Sequence, residues 1–262
     1  MDVHTNQTAR CAGSDPVDAV FVIGTGSRHG NEELRYALRN VANHCPFVRS
    51  VYIVGECPKW VNRSTVTHLP WRDRFTFAKD SNIIDKMVHA CETPGIAKRI
   101  LFCSDDQFQT RVCTWDDFAP MWLREYDKND TWYDDRNHEW HSRLRRTLER
   151  ERLRRVAMGL GEGGIYYWEP HIWTQFDRDR FLEYAKWSEY AYRTDAIIMS
   201  GYFNFIRQRG EHVSDHTFIW SDAAFDNPTT HIAYTDEGFN AAMRYLHSLF
   251  PEPCRFEVAP AR

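Results

Sequence analysis

Residues 18–55 read DAVFVIGTGSRHGNEELRYALRNVANHCPFVRSVYIVG, and the order of segments within them indicates the fold class. The first residues form an apolar, β-branched run that predicts a buried strand ending at Gly24. A glycine-rich loop follows, and Leu34, Leu38 and Val41 then recur at helical spacing. The run VRSVYIVG predicts a second strand. A strand, a helix and a strand in this order are typical of a parallel sheet with helices on its faces.

The same alternation continues along the chain. Strands are predicted at STVTHLP and KRILFCSDD, with a helix at SNIIDKMVHACE between them. Four further helices are predicted: one over residues 143–158, one that begins at about Asp177, one over TDAIIMSGYFNFIRQ and one over DEGFNAAMRYLHSLFP. A further strand is predicted at HTFIWSD. The sequence therefore predicts an α/β fold with a mostly parallel sheet flanked by helices and a more helical C-terminal half. Residues 1–16 are expected to form a flexible leader, and residues 17–262 a single domain.

The composition argues against several classes of protein. The 262 residues carry a net charge of -4, which does not fit a wholly basic nucleic-acid binder. None of the seven cysteines forms a CxxC pair, so reduced thiols of a cytoplasmic protein are expected. The sequence shows no apolar signal core and no stretch near the roughly 20 apolar residues of a membrane span. Aromatic residues make up 15%, including 10 Trp, which fits either an aromatic core or a groove that stacks sugars or bases.

Two acidic residues, Asp105 and Asp106, stand at the end of the predicted strand KRILFCSDD. Ligands of parallel sheets bind beyond the carboxyl ends of the strands, where the GTGSRHG loop is also expected. Adjacent carboxylates raise each other's pKa, and Mg²⁺ or Mn²⁺ relieves this while sharing phosphate oxygens. The pair therefore indicates a metal beside a diphosphate, unless one Asp caps the next turn and the other is solvated. GTGSRHG is likewise either a phosphate-binding loop, with Arg28 as an anion ligand, or an ordinary turn.

The second half contains a basic helix and a candidate general base. Seven arginines lie in the predicted helix of residues 143–158. They form either a solvated face with internal ion pairs or a face that binds the phosphates of a nucleotide, a lipid-linked acceptor or DNA. His171, in EPHIW, follows a glycine-rich loop. It is either a structural side chain or a general base, because the ordinary pKa of histidine suits proton transfer near neutrality.

The segment RHGNEELRYALRNVANHCPFVRSVYIVGECPKWV resembles the second conserved block of the Stealth family, which includes bacterial capsule phosphotransferases and the catalytic subunit of the lysosomal-enzyme phosphotransferase. VTHLP, KDSNIIDK and RILFCSDDQF are similar to later family segments in the same order. This resemblance covers about residues 18–118 and places Asn82 on a shared Asn and Asp105-Asp106 on the family's acidic pair. EPHIW and the segment around YRTD resemble a later block more loosely. The positions that match in the first segment are Arg28, Asn31, Glu32, Leu34, Arg35, Tyr36, Leu38, Arg39, Pro46, Val48, Arg49, Tyr52, Ile53, Val54, Pro58 and Trp60.

The resemblance implies a nucleotide-sugar transferase fold of the GT-A type, with a Rossmann-like sheet. It also implies a nucleotide-sugar donor such as a UDP-sugar, and manganese or magnesium bound by Asp105 and Asp106. Residues 17–120 are then the donor- and metal-binding core, and residues 121–262 the acceptor side. The residues expected at the donor are Gly24, Thr25, Gly26, Arg28, Asn31, Arg35, Asn82 and Arg193. The residues expected to be catalytic are His171, Asp106 and Asp195.

The chain also departs from the family pattern. The first family strand ends in an acidic segment at the donor, whereas here it ends in GTGSRHG, and SDDQF lacks the aromatic pair that follows the family's acids. We therefore expect a metal-dependent glycosyltransferase that moves the sugar alone to an acceptor hydroxyl. The alternatives are a Stealth-type sugar-1-phosphate transferase, which releases a nucleoside monophosphate, and a non-catalytic binding module. The expected acceptor is a glycan or a hydroxymethylated DNA base.

Overall fold

The computed structural model describes residues 15–25, 27, 29–76, 79–134, 139–222 and 229–258. The strands are β1 (Val17–Ile23), β2 (Val48–Gly55), β3 (Val66–Leu69), β4 (Arg99–Cys103), β5 (Gln107–Gln109), β6 (Met121–Trp122), β7 (Arg124–Glu125), β8 (Tyr166–Tyr167), β9 (Thr174–Asp177), β10 (Glu211–His212), β11 (His216–Ile219) and β12 (His231–Tyr234). The helices are α1 (Glu32–His44), α2 (Lys79–Cys91), α3 (Glu139–Ala157), α4 (Arg178–Ser188), α5 (Ile198–Phe205) and α6 (Phe239–Leu249). Short 3₁₀ helices cover Trp115–Phe118, Thr131–Asp134 and Asp236–Gly238.

The central sheet has the strand order β3-β2-β1-β4-β9. Strands β1 to β4 are parallel, and only the edge strand β9 runs antiparallel. β1 lies in the middle, where Phe21 pairs with Ile53 of β2 on one side and with Cys103 of β4 on the other. The predicted α/β fold with a mostly parallel, Rossmann-like sheet is therefore confirmed.

Side chains of β1 alternate between two hydrophobic cores, one on each face of the sheet. Ala19 and Phe21 join the core that α1 and α6 cover, whereas Val20 joins the core of α2, α4 and α5. Burial on both faces explains why the strand reads as a continuous apolar run. Much of the aromatic content also lies here: Trp173 packs edge-on to Phe21, with ring centroids 5.6 Å apart. The aromatic residues are thus largely core residues.

Seven strands of the structure, β5 to β10 and β12, were not predicted, and two of these, β9 and β12, complete the larger sheets. TQFD forms β9 and completes the central sheet, although this stretch was expected to be a turn before α4. The last residue of β9, Asp177, then caps α4, because its carboxylate accepts hydrogen bonds from the backbone N–H groups of Asp179 and Arg180. HIAY forms β12, the middle strand of a second sheet with the order β11-β12-β5. Both strands are too short for their alternation to distinguish them from loops.

The arginines of α3 largely bind carbonyl groups inside the protein. Arg150 donates to the carbonyl oxygens of the last two residues of α4, at 2.9 and 2.7 Å. Arg154 donates to the carbonyl oxygen of the last residue of α5, at 2.7 Å. Buried Arg143 donates to Asp80 and to a backbone carbonyl, both at 2.6 Å. Carbonyl groups at helix ends lack partners within the helix, so these guanidinium groups cap two neighbouring helices.

Two findings concern the expected environment of the chain. No helix in the described ranges is long and apolar enough to cross a membrane. The six cysteines in those ranges have free thiols, and Cys11 lies outside them.

A buried ion pair joins α1 to the C-terminal segment and gives a test of the fold. The carboxylate of Glu257 accepts from Arg39 at 2.7 and 2.9 Å, and both side chains are buried. We expect Glu257→Gln to lower the free energy of unfolding by about 3 kcal/mol, because Arg39 then keeps a buried charge without a counter-ion. The matched surface change Glu162→Gln, at a side chain 57% exposed, is expected to cost less than about 0.5 kcal/mol. Denaturant titration measures both, and equal costs would contradict the role of this ion pair.

Candidate active site

The carboxyl ends of β1 and β4 lie side by side and open onto a cavity of about 460 Å³. The loop after β1 contributes Gly24 and Thr25, and the loop after β4 contributes Asp105 and Asp106. Parallel strands bring these two loops to one rim, so residues far apart in sequence share a cavity. The lining residues are Val22, Ile23, Gly24, Thr25, Ser27, His29, Asn31, Glu33, Asp73, Lys79, Asn82, Ile83, Lys86, Ser104, Asp105, Asp106 and Asp236.

The charges of the acidic pair are poorly compensated. Burial and the neighbouring carboxylates raise the pKa of Asp105 and of Asp106 to about 6. Glu33 has a raised pKa as well, first through burial and then through Asp105. Lys79, the first residue of α2, opposes the shift at both aspartates. A carboxylate cluster of this kind gains stability when a cation or a proton arrives.

One face of α2 forms a wall of the cavity. Lys79, Asn82 and Lys86 lie on this face at helical spacing. The buried ammonium of Lys86 donates to the carbonyl oxygen of Ile23 at 2.9 Å and pairs with Asp73, so its charge is engaged. The Asn82 amide oxygen accepts from the backbone N–H groups of residues 74 and 75, at 2.8 and 2.9 Å. Asn82 therefore fixes the loop before α2, and Lys79 presents a cation at the N-terminus of the helix.

A second cavity, of about 310 Å³, adjoins the first at the acidic residues. Its lining residues are Glu33, Asp105, Asp106, His171, Phe218, Tyr234, Thr235, Asp236 and Phe239. Four of these, Glu33, Asp105, Asp106 and Asp236, line both cavities. The carboxylates thus form the boundary at which the two cavities meet.

His171 lies in the second cavity, as the segment after the glycine-rich loop turns towards β9. Its backbone is left-handed, with φ of 55°, and its ring packs edge-on to Phe218 with centroids 5.0 Å apart. The residue is exposed at the surface of the cavity, and the surrounding protein and then the charge of Lys79 lower the pKa of its imidazole. His171 is therefore a neutral base near pH 7.

Some of the predicted site residues lie together in the first cavity, and the others lie elsewhere in the fold. Gly24, Thr25, Asn31 and Asn82 line the first cavity with the acidic pair. Arg35 lines neither cavity: it pairs with Glu32 and Glu257 and stacks on Trp60, so it fastens α1 to the C-terminal segment. The predicted residues Gly26 and Arg28 lie outside the described residues.

Arg193 and Asp195 lie in a third cavity, of about 610 Å³, beside α3. They form a two-armed ion pair with both N–O distances at 2.8 Å. Burial alone would raise the pKa of Asp195, but the Arg193 guanidinium lowers it. Neither residue lines a cavity that contains Asp105 or Asp106. The loose family match in this region had placed both residues near the reaction.

Several cavity residues were missed by sequence reasoning. Lys79 and Lys86 share a helical face with Asn82, so periodicity alone would have found them once Asn82 was chosen. Glu33 lies in the first turn of α1, where acidic residues are common because of the helix dipole, so it gave no signal of a site. Tyr234 is the last residue of β12 and Asp236 lies two residues beyond it, and this strand was not predicted. Among the described residues, no three His, Cys, Asp or Glu side chains are arranged to hold a metal ion.

Known proteins similar in sequence are sugar-phosphate transferases by name. N-acetylglucosamine-1-phosphotransferase subunits alpha/beta of Homo sapiens and of Mus musculus are 34% identical over 99 residues, which cover 34% of this chain and 8% of each relative. An exopolysaccharide phosphotransferase of Streptomyces coelicolor is 32% identical over 89 residues, 29% of this chain and 9% of that protein. The matches thus span less than a tenth of each relative. Models of protein families give no match.

Among solved structures, galactosyltransferase LgtC in complex with donor and acceptor sugar analogs superposes with a TM-score of 0.50. The sequences are 11% identical, and the superposition covers 90% of this chain and 96% of that chain. This likeness concerns the fold, which is that of the GT-A nucleotide-sugar transferases, as predicted. The named sequence relatives confirm the predicted resemblance to Stealth-type phosphotransferases over the matched 99 and 89 residues.

Removing one charge from the acidic pair tests its electrostatic strain. Each folded pKa of about 6 exceeds the ordinary 3.8, so the pair costs no stability below about pH 4, an increasing amount between about pH 4 and pH 6, and a constant amount at higher pH. At about pH 7.5 and without divalent ions, we expect Asp106→Asn to raise the free energy of unfolding by on the order of 1 kcal/mol.

Asp117→Asn is the matched control with the opposite sign. The carboxylate of Asp117 accepts hydrogen bonds from Thr114 and Arg111. These bonds outweigh its partial burial and lower the pKa of Asp117 to about 2. This substitution is therefore expected to destabilise the protein at the same pH. A loss of stability in both variants would contradict the strain at Asp105 and Asp106.

Proposed function

We propose that this protein is a nucleotide-sugar-dependent glycosyltransferase that moves a sugar to an acceptor hydroxyl. One observation carries the proposal: two cavities on the carboxyl rim of a GT-A-type sheet meet at the same carboxylates. The larger cavity then takes the donor and the smaller one takes the acceptor. The reacting atoms come together at Asp105 and Asp106, between His171 on one side and Lys79 on the other.

The donor side offers groups suited to a diphosphate. Gly24 and Thr25 bring backbone close to the ligand at the end of β1, where a glycine leaves open space: no atom lies within 4 Å of a Cβ built on Gly24. The N-terminus of α2 faces the same cavity, and helix N-termini favour anions. Lys79 adds an exposed cation there. These groups support assignment of the first cavity to the nucleotide sugar.

The chemistry of the acidic pair fits a divalent metal ion. Asp105 and Asp106 supply hard oxygen ligands, and their raised pKa values report burial first and then the charges of neighbouring carboxylates. Mg²⁺ and Mn²⁺ are typically held by one or two carboxylates, with phosphate oxygens and waters in the remaining positions, so two aspartates suffice once the donor is present. When bound, the ion would offset the charge that develops on the leaving nucleotide.

On the acceptor side, His171 is the proposed general base. Its lowered pKa leaves the imidazole neutral near pH 7, so it can accept the proton of an acceptor hydroxyl as that oxygen attacks. The charges of the second cavity favour a neutral acceptor. Four carboxylates line it, and its described lining includes no Lys or Arg.

This charge distribution favours a glycan acceptor over a modified DNA base. The DNA hypothesis depended on the basic helix α3, but Arg143, Arg150 and Arg154 bind groups within the fold. A DNA strand carries a phosphate at every nucleotide and binds where cations compensate it. We also propose that the reaction takes place in the cytoplasm, as expected from the sequence.

Transfer of sugar 1-phosphate is the second candidate, and the named relatives favour it. In that reaction the acceptor oxygen attacks phosphorus and a nucleoside monophosphate leaves. In glycosyl transfer the oxygen attacks the anomeric carbon and a nucleoside diphosphate leaves. The loop after β1 lacks the family's acidic segment at the donor, and for this reason we place glycosyl transfer first.

Nucleotide release tests the proposal and separates the two candidates. We would incubate the protein with Mn²⁺ and UDP-, GDP- and dTDP-sugars and identify the nucleotide produced. We expect nucleoside diphosphate from the wild type and a loss of about 100-fold or more in Asp105→Ala and Asp106→Ala. Asp116→Ala, at an exposed aspartate outside both cavities, is the control and should keep full activity.

The other outcomes are equally informative. Release of nucleoside monophosphate would establish phosphotransfer instead. If the acidic variants were as active as the wild type, the assignment of the site would be wrong. A folded protein that neither binds nor cleaves any donor would favour a non-catalytic binding module.

The pH dependence of the rate tests His171. Because the pKa of His171 is lowered, the neutral base persists below the ordinary value of 6.5, and protonation should reduce kcat only at more acidic pH. His171→Asn is expected to lower kcat by about 100-fold and to remove the dependence on a neutral imidazole. Steady-state rates from about pH 5 to 8 measure this, under conditions where the wild type remains folded. An unchanged kcat in His171→Asn would exclude it as the base.

A further inference from the structure

The phenol of Tyr234 is a buried donor in the second cavity that has no hydrogen-bond partner among the described residues. The side chain is 5% exposed, and its hydroxyl forms no hydrogen bond within the described chain. Tyr234 nevertheless lines the second cavity, together with His171 and the four carboxylates. Buried hydroxyl groups nearly always have partners, because leaving one unpaired costs stability.

The fold fixes the position of this phenol. β12 pairs antiparallel with β5, and Ala233 lies opposite Gln107, the residue that follows the acidic pair. Tyr234 therefore stands next to the point where the chain leaves Asp106. Its ring stacks on Phe108, with centroids 5.9 Å apart and planes 7° apart, and packs against Phe239. The ring is held from two sides, so the hydroxyl has a defined direction.

The neighbouring residue carries a second unpaired hydroxyl. Thr235 Oγ1 is buried without a partner in the described chain and lines the same cavity. One carboxylate oxygen of Glu33 is in the same condition. Three polar atoms without partners around one cavity imply that a polar ligand completes their hydrogen bonds. The carboxylate accepts and the hydroxyls both donate and accept, which is the pattern that an alcohol group satisfies.

We propose that Tyr234 binds the acceptor, its Oη donating a hydrogen bond to the attacking oxygen while Thr235 Oγ1 contacts the same substrate. The inference deepens the proposed function and rests on it. Tyr234 lines the acceptor cavity and not the donor cavity, so its contact is with the attacking group. Burial, and then the nearby carboxylates, raise its pKa, so the phenol keeps its proton and acts as a donor.

Tyr133 provides a matched control. It is 1% exposed, and its hydroxyl also has no partner in the described chain, but it lies in the separate core beside α3 and lines none of the described cavities. Tyr→Phe therefore removes the same atom from a similar environment at both positions. Thermal unfolding should show no loss of stability in Tyr234→Phe or in Tyr133→Phe, because neither hydroxyl bonds to the fold.

The kinetic test compares these variants in nucleotide release, with water and with a methyl glycoside as acceptors. In Tyr234→Phe we expect kcat to fall about 10-fold and the KM of the methyl glycoside to rise, while the KM of the donor stays unchanged. Thr235→Val should show a smaller change of the same kind, and Tyr133→Phe should match the wild type. A change in kcat and in the KM of the acceptor, without a change in the KM of the donor, identifies contact with the attacking group. A general loss of folding would not produce this pattern.

Three results would overturn the inference or its basis. Wild-type kcat in Tyr234→Phe would exclude the contact, and a rise in donor KM alone would move Tyr234 to the donor. A lower unfolding temperature in Tyr234→Phe than in Tyr133→Phe would show that the hydroxyl supports the fold. By contrast, a wild type that releases no nucleotide from any donor would contradict the proposed function itself.

Discussion

Repulsion among four carboxylates at one rim of the central sheet is the constraint on which this site depends. Asp105 and Asp106 leave β4 there, α1 brings Glu33, and the turn after β12 brings Asp236. Among the described residues that line the first cavity, Lys79 opposes the charge of the acidic pair, whereas Lys86 is already bound to Asp73 and a backbone carbonyl. The burial of apolar side chains in the two cores on either side of the sheet offsets the cost of this repulsion. A site built in this way is unstable when empty and gains most from a ligand that brings positive charge, such as a metal held with a diphosphate.

The sequence was sufficient for the part of the fold that local pattern controls. Continuous apolar runs predicted β1, β2 and β4, and helical spacing predicted α1 and α2, because these elements are long enough for periodicity to be read. β5, β9 and β12 have three or four residues each and are formed by pairing with distant strands, which a local pattern does not record. The acidic pair was predictable because it ends a long strand. Glu33 and Asp236 were not recognised as its companions, since only the folded sheet brings them together.

The same reasoning explains which predicted site residues were separated. Arg35 and Arg193 were chosen for charge and family position, yet each has a carboxylate partner within the fold, at Glu257 and at Asp195. Sequence shows that an arginine is present but not whether its charge is already paired. The basic helix α3 illustrates the same point, because Arg150 and Arg154 cap neighbouring helices. His171 differs, since within the described residues its ring packs edge-on to Phe218, which leaves the imidazole nitrogens available to a substrate.

The most direct test of the proposed site is whether a nucleoside diphosphate and a divalent metal bind together at the acidic pair. Calorimetric titration of UDP, GDP and dTDP into the protein, with and without Mn²⁺, would measure this in the wild type and in the Asp105→Asn/Asp106→Asn variant. We expect at least one nucleotide to bind, and its binding should require the metal and be lost in the acidic-pair variant. The control variant Asp116→Asn should bind that nucleotide as the wild type does. Binding that is equally strong without metal and in the acidic-pair variant would contradict the proposed site, as would the absence of any nucleotide binding by the folded wild type.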